Sequence, residues 1–455
     1  MEINRMSSTN KEYVPVADFY AGRSVFLTGV SGFLGKVVIE KLLYSCEDID
    51  KIYVLIRGKK DMSAEERFRN MTKLPLFTRL KEKRPGDLDK IVPVVGDLSM
   101  PNLGIRDEDQ RSFVDKVSVV IHSAAALKYD DPLDEALNIN VEGTRRVLDL
   151  CRRMPKLGSF VHVSTAFSNT DRKVIEEVVY PAPAKLSDVY ASIKKYGSHD
   201  EEATKKILNG KLNTYIFSKA LAENLVADNN DRIPTTIVRP SAVGAAIQEP
   251  VAGWVDNWFA ATGIVHIIGN GNIRAVYGKP SNVLDLIPVD YVANLIVVAA
   301  ARTKESKDTA VYNCCTSSCN PLSYENFFHT IKKFMVEKKY YDSYPAYFFT
   351  ENKLVLNLAT FFLQKIPANI FDVYMKIKGK ESNFSRYQTK MIKIRDQQEK
   401  FTSKSWEMRA DRTRSLYSSL SSAEQREFPF DPIVVNWSKY LPLYCQGIRR
   451  YLLRK

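Results

Sequence analysis

The sequence of 455 residues has 66 Lys and Arg against 53 Asp and Glu, which gives a formal net charge of +13. A hydrophobic content of 45% with 26% charged residues is typical of a folded chain and excludes a disordered or collagen-like one. The length allows two or three domains. The first twenty residues contain no apolar segment and the six cysteines show no C-x-x-C spacing, so we expect reduced thiols in a cytosol-facing protein without a secretory signal.

Six short apolar runs, rich in β-branched residues, alternate with longer amphipathic stretches in the first 240 residues. Parallel strands that are buried on both faces have this composition, and strand-helix alternation predicts a doubly wound α/β fold. We therefore predict a Rossmann-type parallel sheet with the strand order 3-2-1-4-5-6. Its strands are predicted at residues 24–28, 52–56, 91–95, 117–121, 160–164 and 235–239.

A glycine-rich segment, TGVSGFLGK, directly follows the first predicted strand and carries the spacing G-x-x-G-x-x-G. Glycines at such a strand-to-helix turn allow a tight bend and let the backbone approach a pyrophosphate, while the next helix offers free N–H groups to the anion. This pattern predicts a dinucleotide site. The residues assigned to it are Thr28, Gly29, Ser31, Gly32, Phe33, Leu34 and Gly35.

The end of the second predicted strand carries basic residues. Arg57 stands where NAD-binding proteins usually have a carboxylate for the ribose hydroxyls, and Lys59 and Lys60 lie nearby. A guanidinium can bind a 2′-phosphate through two parallel hydrogen bonds, whereas a carboxylate would repel it. Arg57 and Lys60 therefore favour NADPH as the cofactor. A solvated basic turn is the alternative interpretation.

The ends of the later strands supply further candidates for the cofactor site. These are Asp97 and Leu98 after the third strand, Ser123, Ala124 and Ala125 after the fourth, and Pro240 at the end of the sixth. His122 and His162 also stand at strand ends, where we interpret both as structural hydrogen-bonding residues and not as catalytic ones.

A hydroxyl, a phenol and an ammonium form the predicted catalytic group. Tyr215 and Lys219 are four residues apart on a predicted helix, so both lie on one face. An adjacent ammonium is expected to lower the pKa of the phenol toward the working range. The fifth strand ends in Ser164 and Thr165, at the carboxyl edge where open α/β sheets bind ligands. Either hydroxyl can serve; Thr165 is the first choice and Ser164 the alternative.

The order of these motifs resembles the extended short-chain dehydrogenase/reductase superfamily. Within it, segments such as IHSAAALKYDDPLDEALNINVEGT, FVHVSTAFSN, YIFSKALAE and LIPVDYVAN look like the fatty acyl-CoA reductases, and residues 436–455 are similar to their C-terminal "male sterility" region. The sequence as a whole looks most like those of the insect enzymes, including the enzymes of moth pheromone glands. The resemblance implies that Tyr215 donates a proton, that Lys219 holds the nicotinamide ribose, and that Thr165 or Ser164 orients the carbonyl.

The resemblance also implies a reaction. An enzyme of this family reduces a long-chain acyl-CoA through an aldehyde to the primary alcohol, consuming two NADPH per acyl-CoA and releasing CoA, for instance in wax or pheromone biosynthesis. The alternatives are an enzyme that stops at the aldehyde, a relative acting on a steroid or nucleotide sugar, and a noncatalytic NADP-binding scaffold. No metal is required, and Cys314, Cys315 and Cys319 are interpreted as structural thiols.

The chain is predicted to consist of a polar segment (1–20), an NADP-binding catalytic domain (21–330) and a mostly helical region (331–455). The helical region holds 24 Lys and Arg against 12 Asp and Glu, so nearly all of the charge excess lies there. Its apolar run at 354–363 is interrupted by Gln364, Lys365 and Pro367, which favours an interfacial or buried helix over a membrane span.

We expect the helical region to rest on an anionic lipid surface, at the endoplasmic reticulum membrane. A solvated basic helix face is the alternative. The apolar stretches at 340–349 and 354–371, or else Trp254, Val255 and Trp258, are the candidates for an acyl pocket. No nucleic-acid motif is present, and the sequence gives no signal for an oligomeric state.

Overall fold

The computed structural model describes residues 13–58, 61–129, 131–230, 233–303 and 308–454. A sheet of seven parallel strands lies at its centre. The strands are β1 Ser24–Thr28, β2 Ile52–Ile56, β3 Ile91–Val95, β4 Val117–His122, β5 Ser159–Val163, β6 Thr235–Pro240 and β7 Ala310–Cys314. Their order across the sheet is β7-β6-β5-β4-β1-β2-β3. The six predicted strands and their order are confirmed, and a seventh strand, which the sequence did not predict, extends the sheet beyond β6.

Helices cover both faces of the sheet. Because successive strand residues point to opposite faces, Val25 and Leu27 pack with one helical layer and Phe26 packs with the other. The first layer contains the helices Phe33–Ser45 and Val289–Arg302, and the second contains Asp107–Phe113, Gly143–Cys151 and Thr214–Ala227. All five residues of β1 are buried, as expected for the middle of a three-layer α/β sandwich.

The remaining helices lie around this sandwich and in the C-terminal third of the chain. Those before residue 340 are Val16–Tyr20, Ala64–Thr72, Thr78–Lys83, Leu133–Leu137, Leu186–Tyr196, Glu201–Leu208, Ala261–Gly269 and Tyr324–Glu337. Those after it are Lys353–Thr360, Ile366–Ile377, Phe384–Gln397, Glu399–Thr402, Asp411–Ser418, Ser422–Glu427 and Trp437–Gly447, with π-helical turns at Asn138–Glu142, Phe361–Lys365 and Ile448–Leu453.

The C-terminal region is joined to the sandwich by short strands as well as by helices. Glu407–Met408 pairs with Val174–Ile175, and Phe348–Thr350 pairs with Ala275–Tyr277, although the sequence indicated no strand after residue 330. The boundary predicted at residue 330 falls inside the helix Tyr324–Glu337. In the predicted N-terminal segment, the described residues include the helix Val16–Tyr20, in which Tyr20 donates a hydrogen bond to the carbonyl of Val297.

A continuous helix runs from Lys353 to Ile377, although the sequence indicated an interruption near Pro367. A π-helical turn at Phe361–Lys365 precedes the proline, which lies in the first turn of the next α-helical segment, where its missing N–H is tolerated. By length and composition this 25-residue helix could cross a membrane. One narrow face contacts the protein through the buried residues Leu356, Thr360, Gln364 and Ala368, which recur every four positions.

Candidate functional site

The glycine-rich turn lies between β1 and the helix Phe33–Ser45, and it forms one wall of a cavity at the carboxyl edge of the sheet. Gly29 adopts a φ of +82°, and a side chain at Gly35 would begin 2.3 Å from the carbonyl oxygen of Gly29. Only glycine fits either position, so the backbone leaves room for a ligand at the helix N-terminus. Gly29, Gly32, Phe33, Leu34 and Gly35 all line the cavity. This geometry fits the pyrophosphate of a dinucleotide.

Two arginines meet at the outer end of the glycine-rich turn. Arg57 reaches Asp97, with 3.3 Å between its Nη1 and Oδ2. Arg67, on the helix Ala64–Thr72, donates to Ser31 Oγ over 2.9 Å and also to the backbone carbonyl of Arg57. Burial and the charge of Arg57 lower the pKa of Arg67, as expected for cations held close together. These residues fit the 2′-phosphate of NADPH.

The sequence did not identify Arg67. Its only signal is a basic residue in the helix that follows β2, and such residues are common on exposed helices. Lys60, which the sequence assigned to the phosphate, lies outside the described residues, as does Lys59.

The residues at the end of β1 and after β4 have different roles at the cavity. Ser123 and Ala125 line the cavity. Thr28 lies behind them: its Oγ1 accepts a hydrogen bond from the backbone N–H of Ala124 and is 2.8 Å from His122 Nδ1. Thr28 therefore fixes the loop after β4 against β1.

Asp97 and Leu98 stand apart from the cavity lining. Asp97 accepts hydrogen bonds from the backbone and hydroxyl of Ser99, and these bonds together with Arg57 hold its pKa below the usual value against the opposing effect of burial. Leu98 is buried, and its carbonyl accepts from Arg146 Nη1 over 2.7 Å. The structure thus places Asp97 beside the arginine pair and gives Leu98 a packing role.

The predicted catalytic residues come together in the same cavity. Asn213 caps the helix Thr214–Ala227 by accepting from the N–H of Ile216, and this helix places Tyr215 and Lys219 on the cavity wall. Ser164, Thr165 and Pro240 line it from the ends of β5 and β6. The Thr165 hydroxyl donates a hydrogen bond to the Pro240 carbonyl over 3.4 Å and lies close enough to the Tyr215 phenol to affect its pKa. The Ser164 hydroxyl is buried beside the carboxylate of Glu223. The proximity to Tyr215 distinguishes Thr165 from Ser164.

Lys219 makes contacts that the sequence did not predict. Its Nζ donates to the carbonyl of Val163 over 2.8 Å and is 3.1 Å from His162 Nε2. Burial lowers the pKa of Lys219 to about 7, and the negative charge of Glu223 opposes this shift. Because the ammonium group faces His162 and β5, it makes no charge contact that would lower the pKa of Tyr215.

The prediction of a lowered phenol pKa is therefore wrong for this arrangement. Burial, followed by the neighbouring Tyr129, raises the pKa of Tyr215 above 10, and the nearby Thr165 hydroxyl offsets only part of the shift. A phenol with a raised pKa keeps its proton at neutral pH. Tyr215 is thus held in its protonated form, in which a phenol can act as a general acid.

Two buried histidines lie at the strand ends. His122 contacts Thr28 and Thr144 through its two ring nitrogens, and burial lowers its pKa to about 3, so it stays neutral and structural, as predicted. The same interpretation is incomplete for His162, which contacts Lys219 directly. Long-range contact between β5 and the Tyr215 helix creates this pair, and local sequence carries no signal for it.

A buried ion pair links the helix Thr214–Ala227 to β6. Arg239, at the end of β6, donates to both carboxylate oxygens of Glu223 over 2.9 and 2.7 Å, and both side chains are almost completely buried. The arginine charge holds the pKa of Glu223 below its usual value in spite of burial, so Glu223 stays ionised one helical turn from Lys219.

Apolar and aromatic side chains form much of the remaining lining of the cavity, which measures about 240 Å³. This part of the lining, the apolar chamber, consists of Leu127, Tyr129, Phe167, Ile264, Leu284, Tyr324, Phe401, Trp406 and Met408. The stretches 340–349 and 354–371 and the residues Trp254, Val255 and Trp258 do not contribute to the lining within the described chain. Burial raises the pKa values of the Cys314, Cys315 and Cys319 thiols, which favours their protonated form.

The parallel sheet, the glycine-rich turn and the Thr165–Tyr215–Lys219 group define a dinucleotide-dependent reductase of the short-chain dehydrogenase type. Two family models, both described as male sterility protein, match residues 27–296 and 363–455. The chain is 35% identical over 447 residues to fatty acyl-CoA reductase 1 of Xenopus laevis, covering 97% of this chain and 86% of that protein. It is 34% identical to human fatty acyl-CoA reductase 2, with the same coverage. The chain belongs to the fatty acyl-CoA reductase family.

Solved structures show the same fold at low identity. The terminal R domain from the myxalamid PKS-NRPS biosynthetic pathway has a TM-score of 0.64 at 19% identity and covers 94% of this chain and 91% of its own. Gre2 from Candida albicans, solved in a complex with NADPH, has a TM-score of 0.57 at 11% identity and covers 94% of this chain and 99% of its own. The insect and pheromone-gland affinity suggested by the sequence stays a prediction.

Proposed function

We propose that the protein reduces a long-chain acyl-CoA through the aldehyde to a primary alcohol, using two NADPH and releasing CoA. The observation that carries this proposal is that Tyr215, Thr165 and Lys219 lie in one cavity between the glycine-rich turn and an apolar chamber. A dinucleotide, a reacting carbonyl and an alkyl chain each meet a suitable wall there. The resulting alcohol fits a role in wax or pheromone biosynthesis.

The chain's own residues can perform the proton chemistry of both reductions. NADPH, when bound, supplies hydride. Tyr215 is held protonated and can donate its proton to the oxygen on which negative charge develops, while Thr165 is placed to hydrogen-bond to the same oxygen. The proximity of Thr165 to Tyr215 favours Thr165 over Ser164 as the orienting hydroxyl. A thioester and an aldehyde place charge on the same atom, so one group of residues serves both steps.

NADPH is the proposed cofactor because Arg57, Arg67 and Ser31 converge beyond the glycine-rich turn. The residues proposed to contact NADPH are those of the glycine-rich turn and of the strand ends that line the cavity, with Lys219 toward the nicotinamide ribose. Asp97 would contact the cofactor at most through Arg57. Leu98 is not retained as a cofactor residue, because its packing accounts for it.

A product assay tests the proposed reaction. Purified protein is incubated with palmitoyl-CoA and NADPH, and NADPH loss and the lipid product are quantified together. We expect about two NADPH per alcohol formed and no accumulated aldehyde. Tyr215→Phe should reduce turnover by about 100-fold or more while retaining NADPH binding, and Tyr196→Phe, at an exposed position outside the cavity lining, is the control. One NADPH with accumulating aldehyde would support the aldehyde-stopping alternative, and no turnover would support a noncatalytic scaffold.

We also propose that the helix Lys353–Ile377 rests on an anionic lipid surface. At 1.5 Å per residue it is about 37 Å long, and its outward face carries exposed apolar side chains, among them Phe362, Ile370 and Ile377. The inward face is fixed by polar contacts: Arg395 donates to Thr360 Oγ1, and Gln364 contacts the backbone of residues 272 and 274. These contacts favour a helix that lies on a membrane over one that spans it.

The charges around this helix support an anionic partner. Lys365, Lys376, Lys378 and Lys380 stand on it or just beyond its end, and basic residues next to an apolar face favour anionic headgroups. The prediction of an interfacial helix from the sequence is retained in this form, as is the prediction that the membrane is the endoplasmic reticulum.

Vesicle flotation tests the surface. The wild-type protein should float with phosphatidylcholine vesicles that contain phosphatidylserine, and less with phosphatidylcholine alone. Ile370→Ser together with Ile377→Ser should lower the bound fraction about tenfold or more, since each side chain contributes roughly 1.5–3 kcal/mol when buried. Val434→Ser, at an exposed valine elsewhere, is the control. Unchanged binding would contradict the proposed surface. Fractionation of cells with an endoplasmic reticulum marker tests the location.

A further inference from the structure

A second cavity opens directly beside the catalytic one. Tyr129 lines both cavities, and its ring lies 6.3 Å from that of Tyr215. Three segments pass from one cavity to the other: residues 127–131, 212–216 and 398–401 each contribute residues to both linings. The second cavity therefore adjoins the catalytic one at Tyr129, next to Tyr215.

Lysines dominate the charge of this second cavity. Its ionisable lining residues are Lys205, Lys211, Lys400, Lys404, Asp131, Glu201, Glu399 and His199. Asp131 lies 3.7 Å from Lys128, Glu399 pairs with Lys353, and Lys211 pairs with Asp171. Lys205, Lys400 and Lys404 also face the cavity. Among the acidic lining residues, Glu201 is the only one without a basic partner in the described part of the chain.

The three lysines differ in how they are held. Lys400 donates to the carbonyl of Leu212 over 2.6 Å, which fixes its side chain beside the catalytic helix. Lys205 and Lys404 are exposed and form no ion pair with the described part of the chain. Their ammonium groups are thus available to an anionic ligand, and lysine binds phosphate well as a compact point charge.

We infer that this second cavity binds the phosphorylated nucleotide head of CoA through Lys205, Lys400 and Lys404. The inference rests on the proposed function and assigns the two ends of its substrate to different cavities. The acyl chain lies in the apolar chamber, the thioester lies at Tyr215, and the pantetheine arm passes Tyr129 into the lysine-lined cavity. The glycine-rich side of the first cavity is left to the cofactor.

Substrates that lack the CoA nucleotide distinguish a CoA subsite from a general effect of the lysines on catalysis. The intermediate aldehyde has no CoA, so the lysines can assist the reduction of the thioester but not that of the aldehyde. An acyl thioester of N-acetylcysteamine, which also lacks the nucleotide, should likewise be indifferent to them. Removal of these charges therefore changes KM for one substrate out of three.

The experiment compares wild-type protein with a Lys205→Glu, Lys404→Glu double variant of the full chain. We expect KM for palmitoyl-CoA to rise about tenfold or more, as for loss of charge-assisted contacts. KM should change less than about twofold for hexadecanal and for the N-acetylcysteamine thioester. Lys206→Glu, on the same helix but outside the lining, is the matched control and should leave all three values near wild type.

Direct binding makes the subsite testable apart from turnover. Adenosine 3′,5′-bisphosphate is titrated calorimetrically into protein saturated with NADP⁺, which occupies the other phosphate site, and the double variant should bind it about tenfold more weakly. Bisphosphate binding that needs these lysines, without turnover of palmitoyl-CoA, would overturn the proposed function and support the subsite. Turnover with unchanged KM and unchanged bisphosphate binding in the double variant would overturn the subsite and leave the proposed function standing. An equal loss with hexadecanal would also overturn the subsite.

Discussion

The ammonium of Lys219 is almost completely buried at the wall of the candidate catalytic cavity. It is buried, it contacts His162 and the Val163 carbonyl, and the nearest counter-charge, Glu223, is already bound by Arg239. Burial therefore dominates, and the pKa of Lys219 falls from 10.5 to about 7. At neutral pH Lys219 is therefore partly deprotonated, while Tyr215 retains its proton.

The lowered pKa of Lys219 predicts a pH dependence of stability. Between pH 7 and 10.5 the unfolded chain carries the proton and the folded chain does not, so the free energy of unfolding rises with pH. Below pH 7 both states are protonated, and above pH 10.5 neither is. Relative to Lys219→Met, wild-type protein should gain up to about 1.4 kcal/mol per pH unit within that window.

Urea denaturation at a series of pH values measures this difference. The difference between wild type and Lys219→Met should increase from pH 7 to pH 9 and level off below pH 7. Lys206→Met, at an exposed position, controls for the loss of a lysine. A difference that is constant with pH would show that Lys219 keeps an ordinary proton affinity in the folded protein.

The sequence predicted those site residues that belong to short, regularly spaced motifs. It did not predict the residues whose role depends on contacts with distant parts of the chain. The glycine triplet and the pair Tyr215 and Lys219 depend on short spacings, and all of these residues line the cavity. Arg67 and His162 owe their importance to partners far away in the chain. Nothing within a few residues of either one distinguishes it from a surface arginine or a core histidine.

At the scale of elements, the helix Ala64–Thr72 shows how a regular segment adds a residue to the site. Ser63 caps this helix by accepting from the N–H of Glu66, and the helix then presents Arg67 to Ser31 and to the carbonyl of Arg57. Arg69 lies two positions on, is exposed and points elsewhere. The cap and the helical period together set which arginine reaches the glycine-rich turn.

This placement predicts cofactor selectivity. Arg67→Met should weaken NADPH binding about tenfold or more, because a hydrogen bond to a charged group contributes about 1.5–3 kcal/mol. NADH binding should change little, since it lacks the 2′-phosphate. Fluorescence titration of both nucleotides measures the two dissociation constants, and Arg69→Met is the control. Equal weakening of both nucleotides would place Arg67 outside the phosphate site.

Two elements were not predicted from the sequence, for different physical reasons. β7, Ala310–Cys314, follows a polar loop, contains the polar Asn313 and mixes buried with half-buried residues, so it lacks the continuous apolar, fully buried pattern of β1. The helix Lys353–Ile377 contains a proline that normally interrupts a helix, and the π-helical turn that accommodates it has no local sequence signature.

At the scale of the whole molecule, the basic C-terminal region is built into the catalytic sandwich. The carboxylate of Glu177 accepts from the backbone N–H groups of Asn313, in β7, and of Thr413. Tyr440 donates to the carbonyl of Ala245, and Phe401 and Trp406 line the catalytic cavity. Residues 331–455 therefore contribute to the lining of the candidate active site, although their net charge and composition differ from those of residues 1–330.

This integration predicts that the chain unfolds in one cooperative transition. Thr413→Val keeps the shape of the side chain but removes the hydroxyl that lies 2.8 Å from Glu177 Oε1 and 3.0 Å from the carbonyl of Asn313. Its loss should cost about 1–3 kcal/mol, because both partners stay buried. Calorimetry should show a single peak shifted to lower temperature, with NADPH binding lost over the same range as the peak. Ser418→Ala, on the same helix, is the control, and two separate peaks would show that the C-terminal region unfolds independently.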